Sequence, residues 1–283
     1  RMSLNGSPKW MYNAGGDFYS YKINQSLRFN SPDNSNVKRD ITSSSNRKTW
    51  TWSAWVKRGS LGSDQYLFDD GRSSSKSSFN FDTNDRLYVQ LFASAAKYKL
   101  TNQRFRDCSS WYHFVWRVDT TQATAEDRSR VYVNGTQITS WSTEQNVNQN
   151  TDSTINESGN DHLIGKYGGN TSRMFDGYIA ETNFVDGLSL DPTYFGETKE
   201  NIWIPKEYTG SYGTNGFYLK YVAGAEGTDS SGNGNNFTHT PGNTSRNRAV
   251  QDSPTNNFCV MPYTNNPTIL SKEHQGMRLN TSR

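Results

Sequence analysis

The chain has 283 residues, of which 32% are hydrophobic, 20% are charged and 13% are aromatic, and its formal net charge is +3. It contains no apolar run of about 18 residues, which argues against membrane insertion, and its many aromatic residues argue against a disordered chain. Basic residues are interleaved with Asp and Glu rather than clustered, so we expect no nucleic-acid partner.

The first part of the chain carries two strong strand patterns. The first predicted strand is Ser26–Asn30, where apolar and polar residues alternate. A polar loop is expected from there to Lys48. In the following strand, Trp50 and Trp52 point to one side and Trp55 to the other. Aromatic rings in such alternation favour a buried sheet, so we assign four tryptophans to the core. They are Trp50, Trp52, Trp55 and Trp116.

Strands separated by turn residues are predicted through the middle of the chain. They lie at 66–68, 79–81, 86–92 and 111–119. Asn134 and Gly135 stand between two β-rich segments and predict a two-residue hairpin, because both positions of that turn need a positive φ. Residues 142–161 are nearly all polar and predict a long loop.

The last predicted strands precede a tail of turn-forming residues. The strands are 162–165, 177–185 and 216–221, with one helical turn at 191–196. About ten to twelve short strands without a long helix predict an all-β antiparallel sandwich. We divide the chain into an N-terminal arm, a sandwich and an extended C-terminal arm rich in Gly, Asn, Ser, Thr and Pro. Their ranges are 1–21, 22–226 and 227–283.

The order of four motifs is informative beyond the strand pattern. They are WYHFV at 111–115, VYVNGT at 131–136, IG at 164–165 and FDGYIAE at 175–181. In this order they resemble the laminin-G / concanavalin A-like domain, which implies a two-sheet jelly-roll sandwich.

Five further stretches are similar to a sandwich domain in structural proteins of tailed bacteriophages. They are 26–30, 52–61 (WSAWVKRGSL), 175–197, 213–220 with 228–238, and 252–258 (DSPTNNF). The resemblance implies a virion protein, located in the particle, whose partners are other virion proteins and further copies of itself, a trimer among them. Our first hypothesis is a tail-fibre or related appendage module that binds host-surface glycan or neighbouring subunits. The alternative is a capsid decoration protein.

A glycan hydrolase is a third and weaker hypothesis. Some relatives of this fold hydrolyse glucans with carboxylates that alternate along one strand. The nearest candidates here, Glu181 and Asp186, are five positions apart and therefore on opposite faces of a strand. We interpret Glu181 as a structural, hydrogen-bonded carboxylate and predict that the chain is not an enzyme.

One segment resembles the D-x-SGNGN turn of laminin-G-like domains, which can surround calcium with oxygen ligands. It is Asp229–Asn235, with Asp229, Asn233 and Asn235 as the candidate ligands. The alternative is an Asx-turn in which Asp229 binds its own backbone and the glycines supply positive φ. We expect no required cofactor, with calcium as a hypothesis.

Candidate carbohydrate contacts are aromatic residues in polar loops. Tyr167 and Asn170 lie in one such loop, and Tyr208 and Tyr212 lie in another. Exposed rings beside amide groups suit sugar stacking, whereas the same rings also suit contacts between subunits. Both interpretations remain open for these four residues.

Overall fold

The computed structural model describes residues 18–93, 95–169, 173–242 and 248–257, together with the short segments 270–271 and 278–279. These residues contain 20 strands and three 3-10 turns, and none of their helices is long and apolar enough to cross a membrane. The strands in chain order are β1 Ser26–Phe29, β2 Asn36–Asp40, β3 Thr49–Arg58, β4 Gln65–Asp69, β5 Ser78–Phe81, β6 Arg86–Ala93, β7 Ala95–Arg104, β8 Tyr112–Asp119, β9 Ser129–Val133, β10 Thr136–Gln137, β11 Trp141–Glu144, β12 Asp161–Ile164, β13 Gly177–Asp186, β14 Gly196–Lys199, β15 Ile202–Pro205, β16 Phe217–Leu219, β17 Thr238–Thr240, β18 Ala249–Val250, β19 Leu270–Ser271 and β20 Arg278–Leu279. The 3-10 turns are Ser31–Asp33, Ala125–Arg128 and Pro192–Tyr194.

Two eight-stranded sheets form the sandwich. Sheet 1 has the order β10-β9-β8-β3-β13-β1-β18, with β16 also paired to β13, and sheet 2 has the order β11-β7-β6-β5-β4-β12-β2-β17. Neighbouring strands run antiparallel. This arrangement confirms the predicted all-β, two-sheet antiparallel jelly-roll sandwich.

Aromatic rings fill the space between the sheets. Trp50, Trp52 and Trp116 of sheet 1 are fully buried. Trp52 stacks on Phe68 of sheet 2 with ring centres 5.7 Å apart, while Trp50 meets Trp116 edge to face at 4.7 Å. Each such ring removes a large apolar surface from water, worth about 2 kcal/mol or more per side chain. The core assignment of these tryptophans is confirmed, and Trp55 is buried on the outer face of sheet 1.

A covering segment, residues 188–212, buries the outer face of sheet 1. The first residues of this segment are bound to Thr51 of β3. The Thr51 hydroxyl donates to the carbonyl of Leu188 and accepts from the backbone N–H of Leu190. Phe195 from the same segment packs in a second apolar cluster with Val115 of β8. Strand β3 is therefore buried on both faces, which is unusual for an antiparallel sheet.

Polar groups beneath the covering segment are paired. His113 contacts the Ser53 hydroxyl through Nε2 at 2.8 Å and accepts from Trp203 Nε1 through Nδ1 at 2.9 Å. Burial lowers the pKa of His113 to about 3, so the ring is neutral. Because Nδ1 accepts, the proton of the neutral ring sits on Nε2 and is donated to Ser53.

Two strands lie where the sequence predicted loops. Strand β2 falls in the predicted loop that ends at Lys48, and β11 overlaps the predicted loop 142–161. In β2 only Val37 enters the core, while Lys38 faces outward and pairs with Asp161 of β12 at 3.2 Å. These segments are strands because a neighbouring strand pairs with them, and their own apolar pattern is too sparse to indicate it.

The sandwich continues beyond residue 226. Strand β17 pairs with β2, β18 pairs with β1, and Phe237 meets Phe217 of the core with ring centres 4.6 Å apart. The boundaries of the two predicted arms stay predictions. Residues 1–17 and most of the positions after 257 lie outside the described residues.

A buried clamp fastens the segment 252–257 to sheet 1. Lys57 Nζ lies 2.9 Å from Asp252 Oδ2 and 2.7 Å from Asn257 Oδ1, and the Lys57 and Asp252 side chains are 0% and 3% exposed. Trp111 Nε1 donates to the other oxygen of Asp252 at 3.2 Å. The two buried charges thus compensate each other, and each requires the other to remain buried.

Removing one partner of the clamp should destabilise the fold. We expect Asp252→Ala to lower the free energy of unfolding by about 3 kcal/mol or more, because it leaves the Lys57 ammonium buried without its counter-charge. The double variant Lys57→Met, Asp252→Ala should recover most of this loss. Urea denaturation measures both, and equal destabilisation by the single and double variants would contradict the charge argument.

Candidate functional site

An open polar cleft of about 480 Å³ lies where β4 leads into β5 and where the chain enters β12. Two loops line it, residues 70–75 and residues 159–161. Antiparallel pairing of β12 with β4 brings these loops together, because Leu163 is opposite Asp69 and Ile164 is opposite Phe68. The cleft therefore joins residues that are about 90 positions apart in the sequence.

The first loop is held in shape by Asp70 and Gly71. The Asp70 carboxylate accepts from the backbone N–H groups of Arg72 at 3.1 Å and of Ser77 at 2.7 Å. Gly71 has a φ of +79°, and a Cβ at this position would lie 2.2 Å from Asp161 Oδ2. A glycine is thus required for the two loops to approach this closely.

Charges of both signs line the cleft. The guanidinium of Arg72 lies 3.5 Å from Glu157, and its side chain is 38% exposed. Burial raises the pKa of Asp161, which is also paired with Lys38. Carboxylate, guanidinium and serine hydroxyl groups together can both accept and donate hydrogen bonds. Such a surface suits a ligand that carries many hydroxyl groups.

Tyr167 adjoins this cleft, as a half-buried ring. Its hydroxyl donates to the carbonyl of Ser73 at 2.6 Å. The Lys76 ammonium lies 3.3 Å from its ring centre and the Arg173 guanidinium 5.2 Å from it. The predicted partner of Tyr167, Asn170, lies outside the described residues.

The second predicted pair of tyrosines is buried. Tyr208 and Tyr212 are 9% and 7% exposed and meet edge to face with ring centres 5.1 Å apart. Their hydroxyls donate to the carbonyl of Ser211 and to Asn183 Oδ1, respectively. The covering segment packs both rings against sheet 1, so they do not offer the exposed faces expected from the sequence.

The turn at Asp229 is closed by its own hydrogen bonds. The Asp229 carboxylate accepts from the backbone N–H groups of Tyr218, Ser231 and Asn235, each at 2.9 Å. The side-chain amides of Asn233 and Asn235 donate to the carbonyl of Gly216 at 3.0 and 2.8 Å. The groups proposed as calcium ligands are thus engaged with the protein, as the Asx-turn alternative expects.

Within the part of the chain that the structure describes, no group of three or more His, Cys, Asp or Glu side chains is placed to hold a metal ion. The geometry at Asp229 does not fit an open ligand set, because its carboxylate oxygens already accept several hydrogen bonds. Calcium binding is not confirmed.

Glu181 lies in a buried polar network on the outer face of sheet 1. It occupies an irregularity of β13, where the register with β3 shifts between Ala180 and Asn183, and its φ is +50°. Its carboxylate accepts from the hydroxyls of Tyr21, at 3.1 Å, and of Tyr218. Burial raises the pKa of Glu181 to about 7. The hydrogen bonds agree with a structural carboxylate, and the strained backbone has no signal in the sequence.

The cleft contains residues that the sequence did not single out as functional. They are Arg72, Ser73, Ser74, Ser75, Asn160 and Asp161. The signal that was available is the turn Asp69-Asp70-Gly71 followed by Arg72 and three serines, which places charge and hydroxyl groups on one loop. No local pattern indicates that Asp161 joins this loop.

The raised pKa of Glu181 predicts a pH-dependent stability. Because the folded state favours the protonated form, the contribution of Glu181 is complete below its ordinary pKa of 4.5 and is lost as the pH rises through about 7. The loss amounts to about 3 kcal/mol at most. Glu181→Gln should flatten the dependence of unfolding free energy on pH between pH 5 and 8, as measured by urea denaturation across about six pH values.

The matched control for this prediction is Glu126→Gln, at an exposed position of the 3-10 turn Ala125–Arg128. This variant should keep the pH dependence of the parent chain. A Glu181→Gln profile that is parallel to the parent profile would show that Glu181 does not titrate in this range.

A comparison with protein families finds a match to a laminin-G family profile. The profile is described as the concanavalin A-like lectin/glucanases superfamily and matches residues 24–190. The matched residues include the first loop of the cleft, the second loop and Tyr167. No curated protein matches the sequence.

Solved structures with a similar fold come from distant proteins. A protein of Bacteroides ovatus proposed to bind carbohydrate shares 16% identity at a TM-score of 0.54, over 78% of this chain and 59% of that one. A heptameric SAP-like pentraxin of Limulus polyphemus has 17% identity and a TM-score of 0.44, over 62% and 80% of the two chains. Domains LG4-5 of the mouse laminin alpha1 chain have 13% identity and a TM-score of 0.41, over 63% and 46%.

At these identities the likeness shows the fold alone, and the pentraxin and laminin comparisons fall below a TM-score of 0.5. The chain spans less than two thirds of the Bacteroides protein and of the laminin fragment.

Proposed function

The chain belongs to the concanavalin A-like lectin/glucanases superfamily, and from this premise we propose that it binds a glycan without cleaving it. The site is the polar cleft between residues 70–75 and 159–161. The observation that carries the proposal is the meeting of Arg72, Asp161 and exposed serine hydroxyls beside the ring of Tyr167.

The chemistry of the cleft suits a sugar. Each sugar hydroxyl can donate to a carboxylate such as Asp161 and accept from a guanidinium such as Arg72, and charged partners strengthen such bonds. The half-buried Tyr167 adjoins these groups and holds the first loop through the bond from its hydroxyl to the carbonyl of Ser73. The volume of about 480 Å³ is in the range of small-ligand sites.

The carboxylates of the cleft support binding rather than catalysis. Glycoside hydrolysis needs one carboxyl group to protonate the leaving oxygen and a second to attack or to activate water. Asp70 already accepts two backbone N–H groups, and Asp161 is paired with Lys38. Glu181, whose pKa would suit an acid, lies on the outer face of sheet 1 beneath Tyr21.

Filling the cleft should abolish glycan binding. We expect a glycan array to identify a ligand for the full chain and Ser74→Trp to weaken its binding by at least tenfold, about 1.4 kcal/mol, because the indole occupies the space between the loops. Arg72→Ala should weaken binding by a similar factor through loss of the charged donor. Isothermal titration calorimetry measures both.

The control for steric effects is Thr139→Trp, at an exposed position between β10 and β11. It should leave the affinity unchanged. An array without a ligand, or Ser74→Trp that binds as the parent chain does, would overturn the proposed site. Release of reducing sugar from the bound glycan would overturn the non-catalytic role.

The motif stretches described above support a second proposal, that this sandwich is a component of a tailed-phage virion. In this proposal it is an appendage or tail-fibre module, with capsid decoration as the alternative, and it contacts other virion proteins and further copies of itself. Ile23 and Thr255 are hydrogen-bonded to each other at 3.1 and 2.8 Å. Two segments that are 232 positions apart in the sequence thus meet at one place beside sheet 1.

Particle labelling tests the virion proposal. Antibodies raised against the full chain should label purified phage particles from an infected culture in electron micrographs. Label on tail appendages would support the first form of the proposal, and label on the capsid would support decoration. Unlabelled particles, in a culture that contains the protein, would overturn the virion role and leave the glycan proposal standing.

A further inference from the structure

A buried lysine and a buried aspartate meet at the base of the cleft. Lys76 Nζ lies 3.2 Å from Asp69 Oδ2, and the two side chains are 8% and 0% exposed. Neither atom has a hydrogen-bond partner of suitable direction among the described residues. Asp69 ends β4 and Lys76 stands two residues before β5, so the pair spans the loop 70–75 that lines the cleft.

Aromatic rings exclude water from this pair. The Lys76 ammonium lies 4.2 Å from the ring centre of Tyr66 and 3.3 Å from that of Tyr167. The Arg173 guanidinium lies farther out, 5.2 Å from the ring centre of Tyr167, and pairs with Asp64 at 3.5 Å. Burial lowers the pKa of Lys76 and raises that of Asp69 to about 7. Burial thus favours the uncharged amine and the uncharged carboxylic acid over the separated charges.

The second oxygen of Asp69 faces two backbone donors. Asp69 Oδ1 accepts from the N–H of Gly71 at 2.8 Å and from that of Gly168 at 3.3 Å. A Cβ on Gly168 would lie 2.2 Å from the backbone of Gly71, so glycine is required for this approach. Two N–H groups on one oxygen are the arrangement that stabilises the negative charge of a tetrahedral intermediate.

We propose that Lys76 and Asp69 join through an intramolecular isopeptide bond. One proton passes from the Lys76 ammonium to Asp69, and the neutral amine attacks Cγ. The N–H groups of Gly71 and Gly168 hold the negative charge on Oδ1. Oδ2 then leaves as water, taking a second proton from the nitrogen, and an amide between Nζ and Cγ remains. The reaction releases one water and needs no co-reactant, and before it the amine nitrogen already lies 3.2 Å from the oxygen that leaves.

The bond would close a covalent ring around the cleft loop. Residues 70–75 would then be fixed at both ends by a covalent link in addition to the pairing of β4 with β5. The link between Lys76 and Asp69 would form whether or not the cleft binds a glycan.

Mass spectrometry of the purified full chain tests the proposal. The denatured chain should weigh one water less than its sequence predicts. Trypsin should leave Lys76 uncut and should yield residues 59–72 linked to residues 73–86, because Arg58, Arg72 and Arg86 remain cleavable. Lys76→Arg should have the full mass that its own sequence predicts and should yield no linked peptides. Lys48→Arg, at a lysine that is 41% exposed, should keep the loss of one water and the linked peptides.

A succinimide at Asp70-Gly71 would also lose one water, but it would leave Lys76 cleavable and would persist in Lys76→Arg. A folded parent chain, shown by cooperative unfolding, that has its full mass and is cut at Lys76 would overturn the proposal. So would a loss of water that survives in Lys76→Arg without linked peptides. Because the parent chain alone gives the decisive readout, the test does not depend on the folding of a variant.

Discussion

Strand β3 buries both of its faces, and much of the structure depends on this constraint. One face carries tryptophans that fill the space between the sheets, and the other carries Thr51, Ser53, Trp55 and Lys57, which water does not reach. Each polar group on that second face therefore needs a partner from elsewhere in the chain. The covering segment supplies partners for Thr51, and segment 252–257 supplies those for Lys57. The fold is complete only when these distant segments have docked.

The cleft lies at a place where its side chains are not needed to fill the core. The outer face of sheet 1 is occupied by its cover, whereas the loops 70–75 and 159–161 extend beyond the end of sheet 2 and meet through a glycine contact. Polar side chains there can vary without loss of apolar packing. Binding residues in rigidly anchored loops are a common arrangement, because the scaffold fixes their position at low cost in stability.

The strands with alternating aromatic residues could be predicted from the sequence, because the period of two places Trp50 and Trp52 in the core by itself. Strand β2, which contains Lys38, could not be predicted in this way. It has one apolar residue in the core, and such a strand forms only when a neighbouring strand pairs with it. Tyr167 could be proposed as a site residue from its polar loop. That Arg72 and Asp161 belong to one site could not be predicted, because their approach depends on the pairing of β4 with β12. The burial of Tyr208 could not be predicted either. Its sequence neighbours include glycine and serine, which indicate an exposed loop, and the ring is buried because the covering segment folds back over sheet 1.

The adjacency of Ile23 and Thr255 has a mechanical consequence. If force is applied at these two residues themselves, it acts first on the few hydrogen bonds that join Ile23 to Ser253 and Thr255. The ladders of β3 with β8 and β13 contain many more hydrogen bonds, and the clamp of Lys57 with Asp252 lies between them and the loaded residues. Under such a load, the contacts around Ile23 should open before the core strands separate.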